Sequence, residues 1–149
     1  MIWKIKSFDE LENKELYKIL NLRSEVFVVE QECPFNDCDG KDEECYHLYL
    51  ENNDKILAYL RVVKKGISYS ETSIGRVVVS KEVRKKGIAK ELMLRGITFI
   101  EEELKENEIR ISAQVYLVDF YKSLGFVEVS DVYLEDDIPH IEMLYKKNK

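Results

Sequence analysis

The most constraining feature of the sequence is an apolar strand that leads through a basic, glycine-containing turn into a long amphipathic helix. Residues 74–79 include three consecutive valines, a run that indicates a strand buried on both faces. Residues 80–89 follow, and within them three consecutive basic side chains stand directly before Gly87. Beyond Gly87, apolar residues recur at helical spacing as far as Leu104, which predicts a helix with one buried face. The first turn of such a helix has unpaired N–H groups and can therefore hold an anion.

The rest of the chain is predicted to form short strands and helices, without a repeat or a domain boundary. Alternation over residues 2–6 predicts a strand, and Ser7 with Glu10 forms a capping-box pattern before a helix that ends near Val29. Residues 31–44 are rich in acidic side chains and turn formers and are predicted to be a loop. Further predicted segments are a hairpin over 46–51 and 56–64, a strand over 109–113, a short helix over 117–123, and an antiparallel strand pair over 126–129 and 138–145. The order β-α-β-β-β-α-β-α-β-β indicates one mixed α/β domain over residues 1–149.

Length, composition and charge limit the class of protein. A chain of 149 residues, 45% hydrophobic and 35% charged, fits one ordered globular domain. The net charge of −6 argues against nucleic acid or an anionic membrane as a partner. The sequence has neither an apolar run long enough to span a bilayer nor a signal-peptide core, so we expect a cytoplasmic protein. The odd count of three cysteines fits free thiols in a reducing compartment.

The basic turn has the chemistry of a phosphate site. Gly87 lacks a Cβ and lets a diphosphate approach the backbone, and Ala89 keeps the next turn small. Arg84, Lys85 and Lys86 add positive charge in an otherwise acidic protein. The turn is neither a Walker loop, which needs a second glycine and a following Lys-Ser/Thr, nor a dinucleotide fingerprint, which needs three glycines. A solvated basic turn at the start of an ordinary helix is the alternative interpretation.

Two motifs in this chain resemble signatures of the GNAT superfamily of acyl-CoA N-acyltransferases. Arg84-x-x-Gly87-x-Ala89, after a valine-rich strand, resembles the pyrophosphate-binding motif Q/R-x-x-G-x-G/A. The run from Phe120-Tyr121 to Gly125-Phe126 resembles the second signature, F-Y-x-x-x-G-F, and lies one helix and one strand further on, as in the family. Segments similar to the ElaA-type subgroup of that family cover nearly the whole chain: residues 26–34, Asp39-Gly40, Gly75-Arg76-Val77 and residues 138–141.

The resemblance implies a GNAT-like domain with a central, twisted, mostly antiparallel sheet flanked by helices. It also implies that acetyl-CoA is the co-substrate, without a metal, and that an amine acceptor, not identified by the sequence, attacks it directly in a ternary complex. A homodimer is left open. Gln114 stands where many relatives carry an asparagine that touches the cofactor arm. The residues implied to contact the cofactor are Val77, Val78, Val79, Arg84, Lys85, Lys86, Gly87, Ile88, Ala89 and Gln114.

Catalysis of this kind needs a base for the amine and a proton donor for the departing thiolate. In the family the tyrosine of the second motif gives that proton, which corresponds to Tyr121; the alternative is that Tyr121 only packs in the core. Glu30, after the first helix, and His140, near the last strand, are the two candidates for the base. Arg23 lies on the apolar stripe of the first helix and is expected to extend its charged end into solvent or to pair with a carboxylate at the groove.

Two other functions compete with an N-acetyltransferase. The first is a non-catalytic acyl-CoA-binding sensor that keeps the fold and the cofactor loop but lacks turnover. The second is a zinc module, whose candidate ligands are Cys33, Cys38, Cys45 and His47. Structural zinc sites usually pair close Cys-x2–4-Cys hooks, and these intervals do not form a second one, so free thiols are the simpler explanation.

Overall fold

One mixed sheet of eight strands forms the centre of the protein, with helices packed on both of its faces. The computed structural model describes residues 1–147. The strands are β1 (Ile2–Ser7), β2 (Cys45–Asn52), β3 (Lys55–Val63), β4 (Thr72–Val79), β5 (Glu108–Gln114), β6 (Phe126–Glu128), β7 (Tyr133–Glu135) and β8 (Ile138–Lys146). The helices are α1 (Asn13–Arg23), which continues as a π-helix over Ser24–Glu30, then α2 (Ile88–Glu102) and α3 (Val118–Ser123). Within residues 1–147, no helix is long and apolar enough to cross a membrane.

The strands confirm the predicted order and add one strand to it. Along the sheet they lie in the order β1-β2-β3-β4-β5-β8-β6, and β7 also pairs with β8. Every pair within the described residues is antiparallel except β4 with β5, so the expectation of a mostly antiparallel sheet is confirmed. The added strand, β7, has only three residues and forms a hairpin with the start of β8.

The parallel pair β4–β5 is joined only at one end. Thr72 pairs with Ile109 and Ser73 with Arg110, whereas β4 continues to Val79 without further pairing to β5. A bulge in β4 accompanies this separation: the register with β3 shifts between Tyr59 and Arg61, and Arg76 has a positive φ of 52°. Bulges bend a strand and redirect its side chains and N–H groups, and they are frequent beside active sites. The separated strands therefore leave a cleft in the middle of the sheet.

The first helix starts later than its sequence pattern predicts. The capping box at Ser7 and Glu10 is present, with the Ser7 N–H donating to Glu10 Oε1 at 2.9 Å, but it caps a short 3-10 turn. The α-helix begins only at Asn13, where the Glu12 N–H donates to Glu15 Oε1 at 2.9 Å. The predicted end near Val29 agrees with the end of the π-helix at Glu30.

Two apolar clusters hold the helices against the sheet. On one face, the buried residues of α2, such as Leu92, Met93 and Ile100, pack against β2, β3, β4 and β5. On the other face, Ile19 and Leu22 of α1 pack against side chains of β2, β3 and β4. The buried stripe predicted for the helix after Gly87 is therefore confirmed, and the sheet is covered on both sides.

Glu15 is a buried carboxylate that ties α1 to β1 and β2. Its oxygens accept hydrogen bonds from Lys6 Nζ at 2.9 and 3.0 Å, from the Glu12 N–H and from the Tyr49 hydroxyl. Burial by itself would raise the pKa of Glu15, but the Glu12 N–H, the Tyr49 hydroxyl and the Lys6 ammonium outweigh it and lower the pKa to about 2.

The free energy of unfolding should therefore include a contribution from Glu15 that is lost in acid. A carboxylate with a folded-state pKa near 2, below its ordinary 4.5, stabilises the fold above the higher value and loses this effect as the pH falls toward the lower. The shift corresponds to about 3 kcal/mol. Urea titrations should show a large destabilisation of Glu15→Gln at pH 7 that shrinks toward pH 2. The exposed Glu103→Gln is the control, and a difference independent of pH would contradict the assignment.

Candidate active site

A cavity of about 480 Å³ lies in the cleft between β4 and β5. Gly75, Arg76 and Val77 of β4 line one wall, and Ser112 and Gln114 of β5 line the opposite one. The remaining walls come from the π-helix, the acidic loop over residues 31–44, α3 and the β7–β8 turn. The cavity contains Val77, Gln114, Tyr121 and His140, four of the residues that the sequence singled out.

The glycine turn lies at the start of α2. Gly87 is the N-cap of this helix and has a left-handed backbone with φ 77° and ψ 8°. A Cβ placed on Gly87 would have no other atom within 4 Å, so the space beside this backbone is open. Lys85 and Lys86 are exposed next to it. The unpaired N–H groups of the first turn, the helix dipole and two lysines can together bind a diphosphate.

Arg84 and Glu30 form an ion pair beside this turn. Arg84 donates from Nη1 to Glu30 Oε2 at 2.7 Å and from Nη2 to Glu30 Oε1 at 3.0 Å. Its Nε–H donates to the Val79 carbonyl at 3.0 Å. The hydrogen bonds from Arg84 lower the pKa of Glu30. The structure thus places Glu30 beside the glycine turn, outside the set of residues that line the cavity.

Tyr121 lies in the wall of the cavity with its ring held by neighbouring aromatic residues. The ring packs edge-on against Phe120 and Phe126, with centroids 5.2 and 5.9 Å away, and the residue is 6% exposed. Burial raises the pKa of Tyr121 to about 12. The hydroxyl therefore keeps its proton at neutral pH and is present as a donor in the cavity wall.

His140 also lines the cavity and is oriented by two contacts. Its Nδ1 lies 2.7 Å from the Ile138 carbonyl, and its Nε2 lies 3.5 Å from Glu135 Oε2. Because a carbonyl can only accept, Nδ1 carries the proton and the lone pair of the neutral ring is on Nε2. The ring also stacks on Tyr133, with centroids 6.3 Å apart. Nε2 is therefore the ring nitrogen that could exchange a proton with a group in the cavity, with the Glu135 carboxylate beside it.

The residues around His140 were not indicated by the sequence. Glu135 Oε1 accepts a hydrogen bond from Ser112 Oγ at 3.2 Å, and Ser112 Oγ also lies 2.5 Å from the Tyr133 hydroxyl. Tyr133 and Glu135 belong to β7, which is too short and too exposed to give an alternating pattern. Ser112 does alternate with the buried Ile111 and Ala113, so its position on the outward face of β5 was the one available signal.

Arg23 does not extend into solvent, as the sequence suggested, but is completely buried. It is 0% exposed, and it donates from Nε to Asp37 Oδ2 at 2.7 Å and from Nη1 to Asp42 Oδ1 at 2.8 Å. The other expectation, a carboxylate partner at the groove, is confirmed, since Asp37 lines the cavity. The reason is that an isolated buried guanidinium is costly and the acidic loop supplies its counter-charges.

Two further arginines fix the same loop. Arg61 donates from Nη1 to Asp39 Oδ1 and to Asp42 Oδ1, each at 2.9 Å. Arg76, at the bulge of β4, places its Nε 2.9 Å from Asp37 Oδ1. The hydrogen bond from Arg61 is the main reason that the pKa of Asp39 lies well below its usual range. The loop is thereby anchored to α1, β3 and β4, and its carboxylates facing the cavity are already neutralised.

The four candidate zinc ligands do not converge. The Sγ atoms of Cys33 and Cys45 donate to the backbone carbonyls of Asp136 and Lys41, at 3.2 and 3.1 Å. His47 is held between the Tyr59 hydroxyl at 2.6 Å and a backbone carbonyl at 2.9 Å. Among residues 1–147 the structure has no group of three or more His, Cys, Asp or Glu side chains that could hold a metal ion.

Comparison with known proteins gives a consistent set of relatives. A family model described as an acetyltransferase (GNAT) domain matches residues 11–147. A UPF0039 protein of Schizosaccharomyces pombe is 43% identical over 93% of this chain and 92% of its own length. ElaA of Escherichia coli is 38% identical over 95% of this chain and 94% of its own.

Two solved structures share the fold closely. The crystal structure of ElaA from E. coli superimposes with a TM-score of 0.91 at 36% identity, covering 98% of this chain and 100% of that one. An acyl-CoA N-acyltransferase from Pseudomonas aeruginosa superimposes with a TM-score of 0.92 at 41% identity, covering 97% of this chain and 99% of that one. The fold is thus shared with both structures along nearly the whole chain.

Proposed function

Because the chain belongs to the GNAT acetyltransferase family, we propose that it transfers the acetyl group of acetyl-CoA to a primary amine by direct attack in a ternary complex. One observation carries the proposal: the glycine turn at the start of α2 follows β4, a wall of the cleft that Tyr121 and His140 also line. The acceptor amine and the strict use of acetyl-CoA as donor are part of the proposal.

The proposed cofactor site uses the residues that the motif indicated. The diphosphate would bind the N–H groups at the start of α2, around Gly87, Ile88 and Ala89, with charge from Lys85 and Lys86. Arg84 would add a further positive charge beside these lysines while it stays hydrogen-bonded to Glu30. The pantetheine arm would follow the cleft past Gln114, and N–H groups of the β4 segment Val77, Val78 and Val79 would donate to the thioester oxygen. Acetyl-CoA supplies the acyl group as a reactive thioester.

In the proposed reaction, two residues that line the cavity handle the two protons. His140 Nε2 takes a proton from the acceptor so that a neutral amine can attack, and the adjacent Glu135 carboxylate stabilises the imidazolium. As the new N–C bond forms and the C–S bond breaks, the Tyr121 hydroxyl donates its proton to the departing thiolate. Of the two candidate bases, we favour His140 over Glu30, because His140 lines the cavity and Glu30 is paired with Arg84.

Acetyl-CoA should stabilise the protein, and Gly87→Val should abolish that effect. A ligand at a hundredfold excess over its dissociation constant adds about 2.7 kcal/mol to the free energy of unfolding. The Cβ of a valine at Gly87 would meet no other atom within 4 Å in the free protein, so the variant is strained only by its positive φ, but the side chain fills the space that a diphosphate needs. Thermal melts with and without millimolar acetyl-CoA measure the difference.

Gly66→Val is the matched control for this test. Gly66 also has a left-handed backbone, with φ 88°, and open space around its Cβ position, but it lies in the turn before β4. Both variants should lose a similar amount of stability, about 1–2 kcal/mol, because β-branched side chains are strained at positive φ. The Gly66 variant should keep the full response to acetyl-CoA. A wild-type melting temperature that does not respond to acetyl-CoA would contradict the proposed function.

A further inference from the structure

The Glu30–Arg84 pair joins two parts of the site that are 54 residues apart in sequence. Arg84 lies in the turn before Gly87, and its Nε–H is bound to the Val79 carbonyl at the end of β4. A guanidinium has five N–H donors, and the contacts to Glu30 and Val79 use three of them. Arg84 can therefore keep Glu30 and still offer donors to a diphosphate.

Glu30 is the last residue of the π-helix, whose other residues form part of the cavity wall. Phe27 and Val28 of this π-helix line the cavity, as does Gln31 immediately after it. π-helices are rare and frequently mark functional positions. Glu30 is thus the point at which this wall is tied to the cofactor turn.

We propose that Glu30 is a positioning residue, which holds Arg84 and so couples occupation of the diphosphate site to the order of the π-helical wall. The inference rests on the proposed function, because it takes the start of α2 as the diphosphate site. Both Glu30 oxygens accept hydrogen bonds from Arg84, so the carboxylate is directed toward the cofactor turn. A bound diphosphate would hold Arg84 in place, and Arg84 would in turn hold Glu30 and the π-helical wall.

The presence of Glu30 should reduce the affinity for CoA by a measurable amount. The negative charge of Glu30 lies beside a site that binds an anion and should weaken CoA binding. Its removal in Glu30→Gln should lower the dissociation constant of CoA by about three- to tenfold, the size expected for unit charges several ångströms apart in a high dielectric. The Arg84 contact to Val79 remains in this variant, so the turn itself should keep its shape.

The test uses CoA as the probe and needs no acceptor. Calorimetry gives the dissociation constant, and hydrogen exchange reports on residues 24–33 and 80–90 with and without saturating CoA. In the wild type, CoA should slow exchange in both segments. In Glu30→Gln, CoA should bind more tightly, yet protect only residues 80–90. The control is Glu32→Gln, which removes an exposed carboxylate two residues further on and should behave like the wild type.

Several results would overturn the inference while leaving the proposed function intact. One is protection by CoA confined to residues 80–90 in the wild type. Another is a Glu30→Gln variant with unchanged affinity and unchanged protection of residues 24–33. Arg84→Lys, which keeps the charge but cannot bind both carboxylate oxygens in the same way, should also lose the protection of residues 24–33. If the wild type does not bind CoA at all, the proposed function fails first, and calorimetry distinguishes that case.

Discussion

Replacing Tyr121 by Phe should lower kcat by a factor of about 10² to 10⁴ and leave the affinity for acetyl-CoA nearly unchanged. The change removes one hydroxyl and keeps the ring, which packs between Phe120 and Phe126. Fold and stability should therefore survive. The proposed diphosphate site at Gly87 belongs to another element, so the loss should fall on the chemical step.

The dependence of the rate on pH gives a second check on Tyr121. Because burial raises its pKa to about 12, the protonated, donating form persists through the ordinary assay range. Loss of rate at alkaline pH should therefore not arise from Tyr121 below about pH 11. Tyr46→Phe is the control, since it removes a hydroxyl from a half-buried tyrosine outside the cavity lining. A kcat of Tyr121→Phe equal to that of the wild type at every pH would make Tyr121 a packing residue only.

Replacing Arg23 by Ala should destabilise the protein by about 3–5 kcal/mol, the usual cost of removing one partner of a buried ion pair. Arg23 is 0% exposed and balances Asp37 and Asp42, and both carboxylates would be left without this partner. For a protein of this size the melting temperature should fall by about 10 °C or more. Activity should also suffer, because Asp37 holds the loop that lines the cavity.

The control for Arg23→Ala is a variant that removes one partner of an exposed ion pair. Lys55 and Glu82 lie 2.8 Å apart, but their side chains are 66% and 55% exposed. Lys55→Ala should cost less than about 1 kcal/mol, because exposed pairs are screened and mobile. Urea denaturation of both variants gives the comparison. A cost for Arg23→Ala as small as that for Lys55→Ala would show that the buried network adds little to stability.

The parts of the fold that the sequence predicted are those with a local pattern. The stripe after Gly87 and the valine run before it place α2 and β4 directly, because each pattern matches one secondary structure along a continuous segment. The spacing of the second motif singled out Tyr121, which does line the cavity. The sequence also indicated the acidic segment over residues 31–44 as a loop, and most of it has no regular structure.

The parts that the sequence did not predict depend on contacts between distant residues. Arg23 lies on an apolar stripe, and the local sequence does not indicate that Asp37 and Asp42 neutralise its charge. These two carboxylates belong to a loop and lie 14 and 19 residues further along the chain. The same holds for Glu30, whose partner lies 54 residues away and whose position after a helix suggested a base. The surroundings of His140 depend on β7, a strand that forms by pairing with β8 and not by its own pattern.

The most direct test of the account is a screen of amine acceptors with acetyl-CoA that measures both free thiol and the mass of the product. We expect at least one primary amine to release CoA in step with a product heavier by one acetyl group. Tyr121→Phe should reduce both signals together. If the wild type binds acetyl-CoA but no amine raises thiol release above the rate measured without an acceptor, the protein is an acyl-CoA-binding sensor and the proposed transfer is wrong.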